Sequence, residues 1–195
     1  MLNLPLNAKY LLPPICLILL STLLAVFNLN SYLEFNRELV TEGQLWRIFT
    51  SQFVHTNWAH LALNCAGIML IWALHAEYTL ALRYAVNTCF LAIWCGVGIW
   101  LFCPEIKIYT GLSGVLHGSI VWGAIKDIRI GMLSGIVLFI GIGMKIIWEQ
   151  FMGTSATVSE LIASQVAVDA HLIGAVGGVL LAIPLLIERL QKRQP

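Results

Sequence analysis

Six apolar runs, 10–27, 58–74, 84–102, 113–125, 132–148 and 168–187, take up most of this 195-residue sequence. A membrane-spanning helix needs about 20 predominantly apolar residues, so runs of this kind constrain the chain more than any motif does. Lipid offers no hydrogen bonds to the backbone, and spanning segments must satisfy their own amides. The expectation is therefore an all-α, polytopic membrane protein, one six-helix domain over 1–195, with connections too short to fold separately. Charged residues make up only 11% of the chain, against about 25% in soluble domains. A net charge of +1 without a run of like charges excludes a nucleic-acid surface. The five cysteines include no CxxC pair, so neither disulfides, a zinc site nor any other cofactor is expected. The first run follows Lys9 but no Ala-x-Ala site follows it, and it reads as an uncleaved anchor.

Basic residues orient the spans. Lys9, Arg83, Lys126, Arg129, Arg189, Lys192 and Arg193 fall on one side, against Arg37, Arg47, Lys107 and Lys145 on the other. The richer side is expected to be cytoplasmic, with both termini inside. Spans two, four and six then run in parallel from outside to inside. The longest connection, 28–57, reads as a partly embedded amphipathic element with Trp46-Arg47 as an interfacial anchor. The connection 149–167 lies outside and is expected to act as a cover. His55 and His75, near span ends, read as solvated, and Lys145 as snorkelling outward.

Polar residues inside spans are costly and are functional candidates by default. His60 and Asn64 lie in span two, Ser113 and His117 in span four, and His171 in span six, with Asp169 at its mouth. At about 1.5 Å per residue from the cytoplasmic charges, Asn64 and Ser113 stand roughly 20 Å up and His171 roughly 25 Å. All three come to one level, roughly 5–10 Å below the outer surface of a core about 30 Å thick. Gly114 and Gly118 follow Ser113, and Gly174 and Gly178 follow His171. These GxxxG pairs allow spans four and six to approach closely at that level. Gly111 and Gly114 flank Ser113 and let the chain enter the membrane irregularly, so that span four starts at the serine.

A serine attacks a carbonyl when a base takes its proton and donors meet the oxyanion. His171 is the expected base, with Ser113 as nucleophile. His60, the Asn64 amide and the Ser113 backbone N–H are the expected oxyanion donors. His117, at i+4 from Ser113, is the alternative base, but it lies a turn deeper and farther from water, packed beneath His171. Asp169 faces away from His171 on a regular helix, and no other carboxylate stands out as a third member. The expectation is a Ser/His dyad.

Gly111-Leu112-Ser113-Gly114, His60-x-x-x-Asn64, Trp46-Arg47 and Ala170-His171-x-x-Gly174 together resemble rhomboid intramembrane serine proteases. The resemblance covers nearly the whole chain. It implies Ser113 as nucleophile, His171 as base, His60 and Asn64 in the oxyanion hole, and membrane-anchored substrates whose transmembrane segments enter from the lipid past the fifth span. His117 stands where an aromatic residue usually underlies the catalytic histidine. That departure, with 145–150 and 166–171, resembles the rhombosortase subgroup. The subgroup implies processing, in a bacterial inner membrane, of exported proteins ending in Gly-Gly, a transmembrane helix and a basic tail, with water or an amine as acyl acceptor. It makes Glu149, Gln150 and Asp169 candidates for roles at the outer mouth.

Rival chemistries lack residues. There is no HExxH for a metalloprotease, and Asp127 and Asp169 do not make an aspartyl pair. A small transporter is expected to show repeated halves, which are not found. A non-catalytic rhomboid-like scaffold has no need of both Ser113 and His171.

Overall fold

Polar caps mark where the apolar runs become helices. In the computed structural model, which describes residues 4–191 and side chains through 185, Asn7 accepts the Lys9 N–H and opens α1, Ala8–Val26. The connection that follows folds into α2 (Asn30–Leu33), a two-residue strand β1 (Phe35–Asn36), α3 (Arg37–Thr41) and α4 (Trp46–Thr50). Asn57 accepts the His60 N–H at 2.8 Å and starts α5, Trp58–His75. Then come α6 (Ala81–Phe102), β2 (Ile108–Tyr109), α7 (Ser113–Arg129), α8 (Leu133–Met152), α9 (Ala156–Leu161) and α10 (Val168–Gln191). Lys192 and Arg193 lie outside the described residues, as does the side chain of Arg189.

Five of these helices, α1, α5, α6, α8 and α10, are long and apolar enough to cross a membrane. The sixth expected span, α7, has 17 residues and falls short of that measure. Its N-terminus is approached by extended chain and its glycine face lies against α10, so it needs neither the length nor the lipid-facing apolarity of the others. The bundle is all-α and polytopic, as expected, apart from one antiparallel bridge among the described residues, that of β1 with β2.

That bridge positions the start of α7. Phe35 pairs with Tyr109 and Asn36 with Ile108, and the Gly111 N–H then donates to the Ser51 carbonyl at 3.1 Å. The chain reaching Ser113 therefore hangs from the first connection.

Arg47, expected at an interface, is instead buried in that connection. Its Nη1 donates to the Ser31 and Glu34 carbonyls at 3.0 and 2.8 Å, and its Nε to Gln44 Oε1 at 2.8 Å. One planar cation satisfies backbone acceptors that no strand or helix serves. Trp46 stays half exposed and donates to the Tyr32 carbonyl.

His55 and His75 are also buried, not solvated. His55 lies edge-on to His60 with ring centroids 5.0 Å apart. Burial, then the neighbouring His60, holds its pKa down to about 3, so it is neutral. His75 meets Asp127 at 3.3 Å, and Tyr78 donates to the other oxygen of the same carboxylate. This closes the end of the bundle opposite Ser113.

Candidate active site

Three parallel helices begin at one end of the bundle, and the polar residues cluster at their starts. Ser113 is the first residue of α7, His171 the fourth of α10, and His60 and Asn64 fall in the first two turns of α5. The glycines set the separation of α7 and α10. A Cβ on Gly174 would stand 1.9 Å from the Gly114 carbonyl oxygen, and one on Gly178 would stand 2.2 Å from that of Gly118. Backbones this close leave no room for any other residue.

At that spacing Ser113 Oγ lies 3.0 Å from His171 Nε2. His171 Nδ1 lies 2.9 Å from Glu149 Oε2. A carboxylate only accepts, so Nδ1 carries the proton and Nε2 is free to accept one from the serine hydroxyl. The expectation that no carboxylate stands beside His171 is corrected in its geometry. Glu149, in the last turn of α8, makes this contact and is itself buried.

Lys145 is corrected as well. It does not turn away but reaches Glu149 Oε1 at 2.6 Å and His117 Nε2 at 3.0 Å. His117 donates its Nδ1–H to the Ser113 carbonyl at 2.8 Å, which leaves Nε2 as the acceptor for the Lys145 ammonium. Its ring stacks on that of His171 with centroids 4.0 Å apart and planes 17° from parallel. The contacts close a ring: Ser113 Oγ, His171, Glu149, Lys145, His117, and back to the Ser113 carbonyl.

Gly111 has φ +118°, and a Cβ there would meet His60 Nε2 at 2.6 Å. The missing side chain lets His60 pack against the approach to Ser113. His60 Nδ1 faces Thr56 Oγ1 at 3.1 Å, and Thr56 donates its one hydroxyl proton to the Ile162 carbonyl. In this arrangement Nδ1 is the donor and Nε2 is bare. Asn64 uses one amide hydrogen on the His60 carbonyl at 3.3 Å and keeps another to give.

A groove of about 580 Å³ joins these groups. His60, Asn64, Ser113, His117, Glu149 and His171 line it, and the apolar Leu63, Leu70 and Trp148 extend it between α5 and α8. A second cavity of about 310 Å³, with more polar walls, reaches Ser113 past Glu34, Thr56 and Gln165. The connection after α8 runs across this end, with α9 followed by the buried Ile162, and the Asn57 amide holds it by the Leu161 carbonyl at 3.0 Å. Gln150 donates to the Val168 carbonyl at 3.2 Å, tying α8 to the start of α10.

Among the described residues two groups have the composition of metal ligands. In the first, His117, Glu149 and His171, the ligand atoms are committed to one another and to the Lys145 ammonium. In the second, Cys103, Glu105 and Asp169, burial and then the Asp169 and Glu105 charges push the Cys103 thiol up to about 11, which opposes the thiolate a metal requires.

Residues 42–188 match a family model described as the rhomboid domain. Uncharacterized proteins of Mycobacterium bovis and of two Mycobacterium tuberculosis strains are 29% identical to this chain over 160 residues, 75% of it and 61% of each of them. The chain thus spans about three fifths of the length of these relatives.

Proposed function

Because this chain belongs to the rhomboid family, a multi-pass membrane family whose members are generally intramembrane serine proteases, we propose that it is an intramembrane serine endopeptidase using Ser113 and His171. The observation that supports this most is the 3.0 Å contact between Ser113 Oγ and an His171 Nε2 whose ring proton is held on the opposite nitrogen.

The hydroxyl proton passes to Nε2 as Oγ bonds to the scissile carbonyl carbon. Oxyanion charge is met by the Asn64 amide and the Ser113 N–H at the start of α7, where unpaired amides and the helix dipole favour an anion. His60 joins them in its other tautomer: water takes the proton from Nδ1 and returns one to Nε2, and Thr56 turns its hydroxyl from the Ile162 carbonyl to donate to the vacated Nδ1. The imidazolium then protonates the leaving amine, the C–N bond breaks, and water or an amine resolves the acyl-enzyme with His171 again as base. The apolar groove between α5 and α8 takes the transmembrane segment of the substrate, and the more polar cavity admits water.

The finer assignment is rhombosortase-like. The enzyme works at the outer face of a bacterial inner membrane, with both termini cytoplasmic, on exported proteins anchored by Gly-Gly, one span and a basic tail. His117, where the chain departs from better-known rhomboids, and Glu149, in the segment 145–150 that resembles the subgroup, are joined through the Lys145 ammonium beside His171, which supports a site adapted as a unit.

The test is co-reconstitution in liposomes with a single-span reporter carrying Gly-Gly before its span, and with a second reporter carrying Val-Val there. The first should be cut beside the glycines, at least about tenfold faster than the second, and by wild type but not by Ser113→Ala. Equal cleavage of both reporters contradicts the substrate assignment.

A further inference from the structure

The groove and the oxyanion donors belong to the reaction already described, but the carboxylate on α8 does not. Glu149 is 8% exposed and lies in a membrane-spanning helix, where an unpaired charge is expensive. Both its oxygens are engaged, Oε2 by His171 and Oε1 by Lys145 one turn earlier on the same helix. The Lys145 ammonium fixes the carboxylate from behind, and through His117 the same ammonium is tied to the Ser113 backbone.

We infer that Glu149 is a positioning residue that completes Ser113 and His171 into a Ser-His-Glu relay, braced by Lys145 and His117. This rests on the protease reading above. Glu149 holds the Nδ1–H tautomer and the ring plane of His171, and stabilises the imidazolium formed when Nε2 takes the serine proton. The proton stays on the imidazole until the leaving amine takes it, so the carboxylate remains charged throughout.

Glu149 sits on α8, one wall of the groove, so the relay is complete only when the outer part of α8 is seated on α10. The Gln150 contact with the Val168 carbonyl and the Lys145–His117 contact hold it there. A substrate segment entering between α5 and α8 therefore bears on the helix that carries the relay's third member.

Purified full-length protein tests this through the second-order rate of fluorophosphonate labelling, which needs the Ser-His pair but no transmembrane substrate, together with kcat and KM on a reporter. In other serine proteases, replacing the relay carboxylate by its amide lowers kcat about 10⁴-fold. Glu149→Gln should slow labelling and lower kcat by at least about 10²-fold with KM changed less than threefold. Glu149→Asp should recover part of that loss. Lys145→Met, which leaves the His171 contact in place, should lose about tenfold. A folded Glu149→Gln that labels within twofold of wild type overturns the inference while leaving the protease reading intact. So does a loss that Asp does not rescue and that follows the thermal midpoint. A wild type that labels no faster than Ser113→Ala overturns both.

Discussion

His171→Ala should abolish cleavage, lowering kcat by roughly 10⁴-fold or more, the scale seen when the base of a serine protease is removed. His117→Phe should keep activity within about tenfold of wild type. Both histidines touch Ser113, but through different atoms. His171 faces the hydroxyl, whereas His117 spends its Nδ1–H on the Ser113 carbonyl and directs Nε2 to a lysine. A histidine so committed has no route to the Oγ proton. Phenylalanine preserves the stack beneath His171 while giving up the ammonium contact, hence the modest cost. Steady-state cleavage of a reporter in detergent decides the matter, and an active His171→Ala beside an inactive His117→Phe reverses the two roles.

Gly174→Leu should remove activity and stability together. Its Cβ has to occupy space 1.9 Å from the Gly114 carbonyl oxygen, and a backbone atom inside a helix cannot swing aside. The helices must part, and because Ser113 precedes Gly114 while His171 lies one turn before Gly174, the 3.0 Å contact parts with them. Overpacking of this kind costs roughly 1–3 kcal/mol, occasionally more. For a chain of this size about 3 kcal/mol corresponds to a fall in Tm of roughly 6–12 °C. A Cβ on Gly141, in α8, would meet nothing within 4 Å, and Gly141→Leu should leave both activity and Tm unchanged. Thermal unfolding in detergent, scored beside cleavage, checks the pair. A stable, active Gly174→Leu would show that the close approach of α7 and α10 is not what holds the site.

How much of the site is legible in the sequence follows from what each residue's partner is. Spans declare themselves by apolar length, and Ser113, His60, Asn64 and His171 stand out because polar residues are scarce there. Their common depth follows from helical rise alone, and the glycines beside Ser113 and His171 mark the face on which two helices meet. Lys145 and Glu149 are visible at i, i+4, but α8 is apolar on most of its surface and its pattern does not say which side turns inward. A lysine and a glutamate near a membrane surface then read as a snorkelling cation and an interfacial acid. Only the rotation of α8 against α10 turns them to His171 and His117. Arg47 escapes a sequence reading for a different reason: its partners are mainly backbone carbonyls, which every residue carries and no pattern marks. His75 and Asp127 are 52 residues apart, and only the packing of α5 on α7 makes them neighbours.

On the proposed mechanism Ser113 is an activated nucleophile within the membrane. The most direct test is fluorophosphonate labelling of the purified, folded protein, followed by mass-spectrometric location of the adduct. A single adduct on Ser113 of the wild type, and none on Ser113→Ala, is the predicted result. Labelling that persists in Ser113→Ala, or a folded wild type that takes up no probe, would contradict it.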